Sequence, residues 1–71
     1  MTRHFEFVSG SSAKFYEICV NGAEVTVNSG RIGTNGQSQT KSFPFAEKAQ
    51  QHAEQLMQQK LGKGYVECVA T

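Results

Sequence analysis

The nine residues from Ser29 to Gln37 contain the chain's clearest chemical signal, because they place an arginine between two glycines at the end of a strand-like pattern. An arginine side chain binds a phosphate, a carboxylate or a base edge through two parallel hydrogen bonds. Glycine accepts positive φ and lets another molecule approach the backbone closely. The segment Gly30-Arg31-Ile32-Gly33 therefore indicates either an anion- or nucleic-acid-binding turn or a structural hairpin with an incidental arginine. The candidate cationic neighbours of Arg31 are Lys41, Lys14 and Lys63.

Other site chemistries find little support in the sequence. Two cysteines and two histidines occur without CxxC or CxxH spacing, so neither a metal site nor a cysteine nucleophile with its base is indicated. We expect His4 on the polar side of the first strand and His52 on the outer face of the helix. The glycine-rich turn lacks the GK[ST] ending and the following helix of a phosphate-binding nucleotide loop. The sequence therefore predicts no enzyme activity, no metal and no cofactor.

Length and charge set the frame for any function. Seventy-one residues predict a single domain, residues 1–71, with a thin core. A formal net charge of +1 is far from the basic footprint of a typical nucleic-acid-binding domain, so any attraction for phosphate must come from the arrangement of the charges. No stretch approaches the length of a membrane span, and the polar first eight residues are unlike a signal peptide. These features lead us to expect a cytoplasmic protein.

The elements that position the turn follow from hydrophobic periodicity. Alternating or β-branched runs predict strands, an Asn21-Gly22 dipeptide predicts a tight hairpin, and apolar residues spaced by three and four after Pro44 predict a helix. The fold is therefore α+β, with a small antiparallel sheet of about five strands in the order β-β-β-β-α-β and one amphipathic helix packed on one face. The predicted strands are Arg3–Val8, Lys14–Val20, Glu24–Ile32, Gln37–Phe43 and Tyr65–Val69, and the helix runs from Phe45 to about Gly62.

The third strand raises a question of side-chain direction. If Val25 and Val27 face the core, strict alternation also turns Arg31 inward and leaves Ile32 outside. Burying an unpaired arginine is costly, so we expect a bulge near Gly30 that reverses the alternation. The predicted core consists of Phe5, Phe7, Val25, Val27, Leu56 and Leu61.

Neither face of the fourth predicted strand has the character of a core. Gln37, Gln39 and Lys41 alternate with serines and a threonine. Two interpretations remain open, an edge strand kept polar against aggregation and a polar contact surface. An exposed edge can also pair with a second copy of the chain, and the sequence leaves the oligomeric state open.

Several linked motifs over residues 3–67 resemble the WGR domain. The matching segments, in order and spacing, are Lys14-Phe15-Tyr16-Glu17-Ile18, Asn21-Gly22, Gly30-Arg31-Ile32-Gly33-Thr34, Gly36-Gln37, Lys41, Phe43 and Lys63-Gly64-Tyr65. This family takes its name from a Trp-Gly-Arg triplet and occurs in poly(ADP-ribose) polymerases and in short bacterial proteins. In the polymerases the domain binds the end of a DNA break, its tryptophan packs on the terminal nucleotide, and its arginine helps to link the DNA to neighbouring domains.

The resemblance implies a non-catalytic bacterial module that binds DNA ends or nicks. Under this interpretation Arg31 takes the role of the family's arginine, and Gly30 allows the close approach of the ligand to the backbone. Ser29 stands where the family carries tryptophan, and the chain contains no tryptophan. The alternative is therefore a protein-interaction or regulatory module that lost DNA-end binding with that residue. The predicted nucleic-acid-binding residues are Arg31, Ser29, Gly30, Lys41 and Gln39.

Overall fold

A computed structural model describes residues 2–68 of the chain, which form five strands and one helix. The elements follow the predicted order, and each lies within a few residues of its predicted position. Their bounds are β1 Thr2–Ser9, β2 Ser12–Asn21, β3 Glu24–Arg31, β4 Gln37–Ser42, α1 Ala46–Gly62 and β5 Val66–Cys68. The last predicted strand extended to Val69, which lies outside the described residues.

The five strands form one antiparallel sheet in the order β4-β3-β2-β1-β5. Turns join the first four strands, and each contains glycine at positive φ: Gly10 in the first, Gly22 in the second, and Gly33 and Gly36 in the third. The chain then leaves β4 at one edge, and α1 crosses the sheet so that β5 pairs with β1 at the other edge. One helix thus covers one face of the sheet, and we call the opposite face the back face.

The core lies between α1 and the central strands. Ala49, Ala53 and Met57 are spaced four apart and form the buried stripe of the helix. The small alanines let the helix approach the sheet closely, and the strands contribute larger side chains that fill the space between. The buried core cluster consists of Phe5, Tyr16, Ile18, Val25, Ala49, Ala53 and Met57.

The predicted core was right in part. Phe5 and Val25 are buried, while Val27 and Leu56 are half-buried and pack against the core cluster. Phe7 is half-buried, and its ring centroid lies 5.4 Å from that of Tyr65. The assignment of Leu61 to the core is wrong. It is 48% exposed in the last turn of α1, beyond the part of the helix that covers the core.

The prediction of a bulge near Gly30 is also wrong. Residues of β3 pair one-to-one with β2 from Asn21↔Glu24 to Lys14↔Arg31, with no extra residue. Alternation therefore keeps Arg31 on the helix-covered face and Ile32 on the back face, where Ile32 is 39% exposed. Arg31 escapes burial in another way, because it lies at the end of the strand, where it stays exposed to solvent.

Among the described residues no helix is long and apolar enough to span a membrane.

Candidate nucleic-acid interface

The turn after β3 is built on two glycines that pack against each other. A β-carbon on Gly30 would lie 2.8 Å from the Gly36 Cα, so the absence of a side chain lets the turn fold back over the strand. The Thr34 hydroxyl and backbone N–H both donate to the Arg31 carbonyl, at 2.7 and 3.1 Å. These bonds fix the backbone of Arg31, and its side chain forms no hydrogen bond or ion pair with residues 2–68. The space beside Gly30 is thus filled by the chain's own turn.

Arg31 lies directly opposite another cation. It pairs with Lys14 across β2 and β3, so both side chains leave the same face of the sheet. Like charges at opposed positions destabilise a sheet, and a bound anion between them would remove that repulsion. The pair is therefore more useful to a binding surface than to the fold.

Lys60 approaches the same place from the helix. Its ammonium lies 4.7 Å from the centre of the Tyr16 ring and 5.3 Å from that of Tyr65, a geometry typical of cation–π contact. The Lys60 carbonyl accepts the backbone N–H of Tyr65 at 3.0 Å, which ties the end of the helix to the chain entering β5. Backbone and rings together hold the ammonium in position.

Electrostatics around Lys60 favour an incoming anion. Partial burial lowers the pKa of the Lys60 ammonium below its ordinary value, and the charges of Lys63 and Lys14 lower it further. Burial also raises the pKa of the Tyr16 phenol, which therefore stays neutral. A phosphate beside Lys60 would offset the repulsion among these lysines.

These side chains line two adjoining cavities of 360 and 310 Å3 that share Lys14, Lys60 and Tyr65. We call the two together the basic groove. Four of the chain's seven lysines and arginines line it, and none of its described lining residues is acidic. Its full lining is Phe7, Lys14, Phe15, Tyr16, Ser29, Gly30, Arg31, Lys60, Lys63 and Tyr65.

A third cavity, of 670 Å3, lies between α1 and the β4 side of the sheet, and we call it the helix–β4 groove. Its lining includes the apolar side chains of Val25, Val27 and Leu56 together with polar groups. Ser29 lines both this cavity and the basic groove, so the two adjoin at that residue. The other residues around the helix–β4 groove are Tyr16, Gln39, Thr40, Lys41 and His52.

The predicted site residues thus fall into two neighbouring groups. Ser29, Gly30 and Arg31 line the basic groove, while Gln39 and Lys41 line the helix–β4 groove with Ser29. The Lys41 ammonium lies 5.5 Å from the centre of the Phe43 ring, near the rim. The structure therefore arranges the five residues around adjoining cavities on one face of the sheet.

Sequence reasoning missed Lys60 and misplaced His52. Lys60 follows Met57 by three residues, so the helical period already places it beside the buried stripe. His52 was expected on the outer face, yet it is half-buried, with its ring centroid 5.0 Å from that of Phe43. Helical spacing relative to Ala49 and Ala53 would have indicated both positions.

The back face has the opposite charge. Glu6 and Glu17 flank His4, with carboxylate oxygens 3.1 Å from Nε2 and 3.4 Å from Nδ1, and the imidazole ring stacks on Phe15. Among residues 2–68 no three His, Cys, Asp or Glu side chains are close enough to hold a metal ion. The two faces of the sheet therefore differ in sign, with cations beside the helix end and carboxylates behind.

Comparison with known proteins identifies the domain type. The model of the WGR domain family matches residues 1–70. Two proteins of Escherichia coli K12 are similar: Protein YehF, 42% identical over 65 residues, and Uncharacterized protein YfeS, 36% identical over 67 residues. The matches cover 92% and 94% of this chain but only 24% and 28% of those proteins. The chain therefore spans about a quarter of the length of these curated relatives.

A solved structure shows the same fold. The crystal structure of a protein from Bacteroides fragilis aligns with a TM-score of 0.93 and 45% sequence identity. The alignment covers 97% of this chain and 20% of that protein. The five-stranded antiparallel sheet with one crossing helix is thus an architecture found as a part of larger proteins.

Proposed function

The chain belongs to the WGR domain family, and we propose that it is a non-catalytic module that binds DNA through the basic groove, with Arg31 and Lys60 as the central phosphate contacts. WGR domains are a binding type of module, with nucleic acid among the ligands of the family. The observation that carries the proposal is the convergence of four cations on one groove whose described lining has no carboxylate.

The chemistry of the groove fits a phosphate backbone. Arg31 offers a planar fork for two phosphate oxygens. Lys60 offers a point charge that Tyr16 and Tyr65 hold in place, so little side-chain freedom is lost on binding. Lys14 and Lys63 line the same cavity as Lys60 and add their charges there. Such contacts position a nucleic acid without reading its sequence.

Fluorescence anisotropy with labelled duplexes tests the proposal. We expect binding of 5′-phosphorylated, nicked and blunt duplexes at low salt, weakening as salt is raised because phosphate contacts release counterions. Arg31→Ala and Lys60→Met should each weaken binding about ten- to a hundredfold, as a charge-assisted hydrogen bond contributes about 1.5–3 kcal/mol. Lys60→Met retains the aliphatic stem that lies against the tyrosine rings.

Lys48→Met is the matched control, since Lys48 is an exposed lysine of the same helix that lies outside the basic groove. It should bind like the unchanged chain. Absence of binding at low salt, or an Arg31→Ala variant with unchanged affinity, would refute DNA binding through this groove and leave a protein-interaction module as the better explanation.

A further inference from the structure

The helix–β4 groove is an open cavity next to a cationic one. The helix α1 packs against β2 and β3, while all six residues of β4 are exposed. The helix-side surface of the outermost strand is therefore accessible beside the core. Val25 at the floor is only 2% exposed, so the cavity is closed below and open toward solvent above.

The lining combines an apolar floor with a polar rim. Val27 and Leu56 are half-buried, above the buried Val25, and offer a surface against which a flat apolar ring can pack. The Gln39 amide carries both donors and acceptors, and amide side chains pair with the edges of nucleobases. His52, half-buried beside Phe43, adds a ring with a polar edge. This is the composition expected around a heteroaromatic ligand.

Ser29 joins this cavity to the phosphate-binding one. It lines both, and Arg31 follows it by two strand residues, a separation of about 6.7 Å along β3. That is within the reach of a single nucleotide, from its base to its phosphate. The small serine side chain also leaves the passage between the two cavities open.

We propose that the helix–β4 groove takes one unpaired nucleobase whose phosphate lies in the basic groove. The proposal rests on the proposed function and specifies its ligand as DNA with an unpaired nucleotide, at an end or in a single-stranded stretch. A base that is still paired carries its partner on the edge that must enter the cavity, so a continuous duplex engages only the basic groove. Charge complementarity with the four cations favours a nucleotide over an uncharged ring as the occupant.

The test compares two probes with the same number of phosphates. One is a 12-bp duplex with a single unpaired terminal nucleotide, and the other carries a tetrahydrofuran abasic unit at that position, each prepared at the 5′ and at the 3′ end. We expect the probe with the base to bind about tenfold more tightly at one or both ends, in line with the free energy of packing one base on protein. Equal affinity for base and abasic probes at both ends would overturn the proposal.

Two serine variants locate the effect. Ser29→Ile places a bulky β-branched side chain where the cavities meet, and the base-to-abasic affinity ratio should fall from about ten to near one. Ser38→Ile makes the same change on β4 at a position that pairs with Asn28 on the back face, and it should keep the ratio. An unchanged ratio in a folded Ser29→Ile variant contradicts the proposal. If that variant is unfolded by circular dichroism, Gln39→Ala, at an exposed rim position, should lower the ratio about threefold.

The outcomes separate this inference from the proposed function. Salt-sensitive binding of the abasic probe that is lost in Arg31→Ala supports DNA binding by the basic groove, whatever the base adds. A base-to-abasic affinity ratio of one under those conditions refutes only the base site and leaves the proposed phosphate contacts of the basic groove intact. Absence of binding to every probe refutes both.

Discussion

At the scale of single residues, the basic groove places charge where the fold gains least from it. Lys14 and Arg31 repel each other across neighbouring strands, and burial opposes the charge of Lys60. Each of these costs is offset when an anion occupies the groove. If the groove binds DNA as proposed, stability and binding are in conflict at these positions, which is typical of binding sites.

Gly36 is the residue whose replacement should damage the turn most. It has φ +71°, and a β-carbon there would lie 2.6 Å from Phe15 Cζ and 2.7 Å from the Ser29 carbonyl oxygen. Gly36→Ala should therefore lower the free energy of unfolding by about 2–4 kcal/mol, since left-handed backbone alone costs a non-glycine residue about 1–2 kcal/mol and the close contacts add to it. Urea denaturation measures the loss.

Gly22→Ala is the matched control for this prediction. Gly22 also has positive φ, at +60°, but no described atom lies within 4 Å of its would-be β-carbon. It should show the backbone cost of about 1–2 kcal/mol without the steric part. Equal losses in the two variants would show that the packing of Gly36 against Phe15 and β3 contributes nothing.

At the scale of elements, a side-chain pair adds to the backbone pairing that holds the short strand β5 to β1. Three residues of β5 pair with β1, and Arg3 Nε donates to Glu67 Oε2 at 2.7 Å while a second guanidinium nitrogen donates to Oε1. This two-bond geometry is the strongest that an arginine and a carboxylate can form. It joins β5, the edge strand that follows α1, to its neighbour β1.

This pair should make stability sensitive to acid. The hydrogen bond from Arg3 lowers the pKa of Glu67 below its ordinary 4.5, so its contribution is present above that pH and is lost as the pH falls through the lowered folded-state pKa. Glu67→Gln should lower the melting temperature at pH 7 and flatten its decline below pH 4.5. Glu47→Gln, at an exposed position of α1, should keep the acid dependence of the unchanged chain. Parallel acid profiles for Glu67→Gln and the unchanged chain would contradict the prediction.

The elements also show how far the sequence predicts the structure. Hydrophobic periodicity was sufficient for α1 and for the strands that have an apolar face. β4 has two polar faces, and it was predicted from the glycine turn before it and Pro44 after it. Leu61 was misassigned because periodicity does not show where the sheet beneath a helix ends. The bulge at Gly30 was wrong because alternation gives the face of a side chain but not its distance from the strand end, where Arg31 reaches solvent. Lys60 escaped notice because a charged residue beside a buried stripe is rarely considered a site.

At the scale of the whole molecule, the net charge of +1 hides a strong separation of charge. Four cations line one groove on the helix side, while Glu6 and Glu17 lie on the back face. A ligand approaching the helix side therefore meets a local field that the overall charge does not suggest. The positions of the charged side chains, more than their number, are what would allow this chain to bind DNA.

The salt dependence of binding should report how many of these cations contact phosphate. With four contacts, the logarithm of the association constant should fall with the logarithm of salt concentration at a slope of about −3 to −4. Lys63→Ala should reduce the steepness by about one, whereas Lys48→Ala, outside the groove, should leave it unchanged. Anisotropy titrations at four or more salt concentrations measure the slope, and a value near zero would contradict phosphate binding by the groove.

The unbroken pairing of β3 with β2 makes the length of this segment as important as its composition. Because side chains alternate, deleting or inserting one residue between Val27 and Arg31 would move the guanidinium to the acidic back face and bring Ile32 among the lysines. Changes of two residues would preserve the faces, and substitutions leave them untouched. Substitutions in this segment therefore keep Arg31 and the lysines on one face. An insertion or deletion of a single residue separates them.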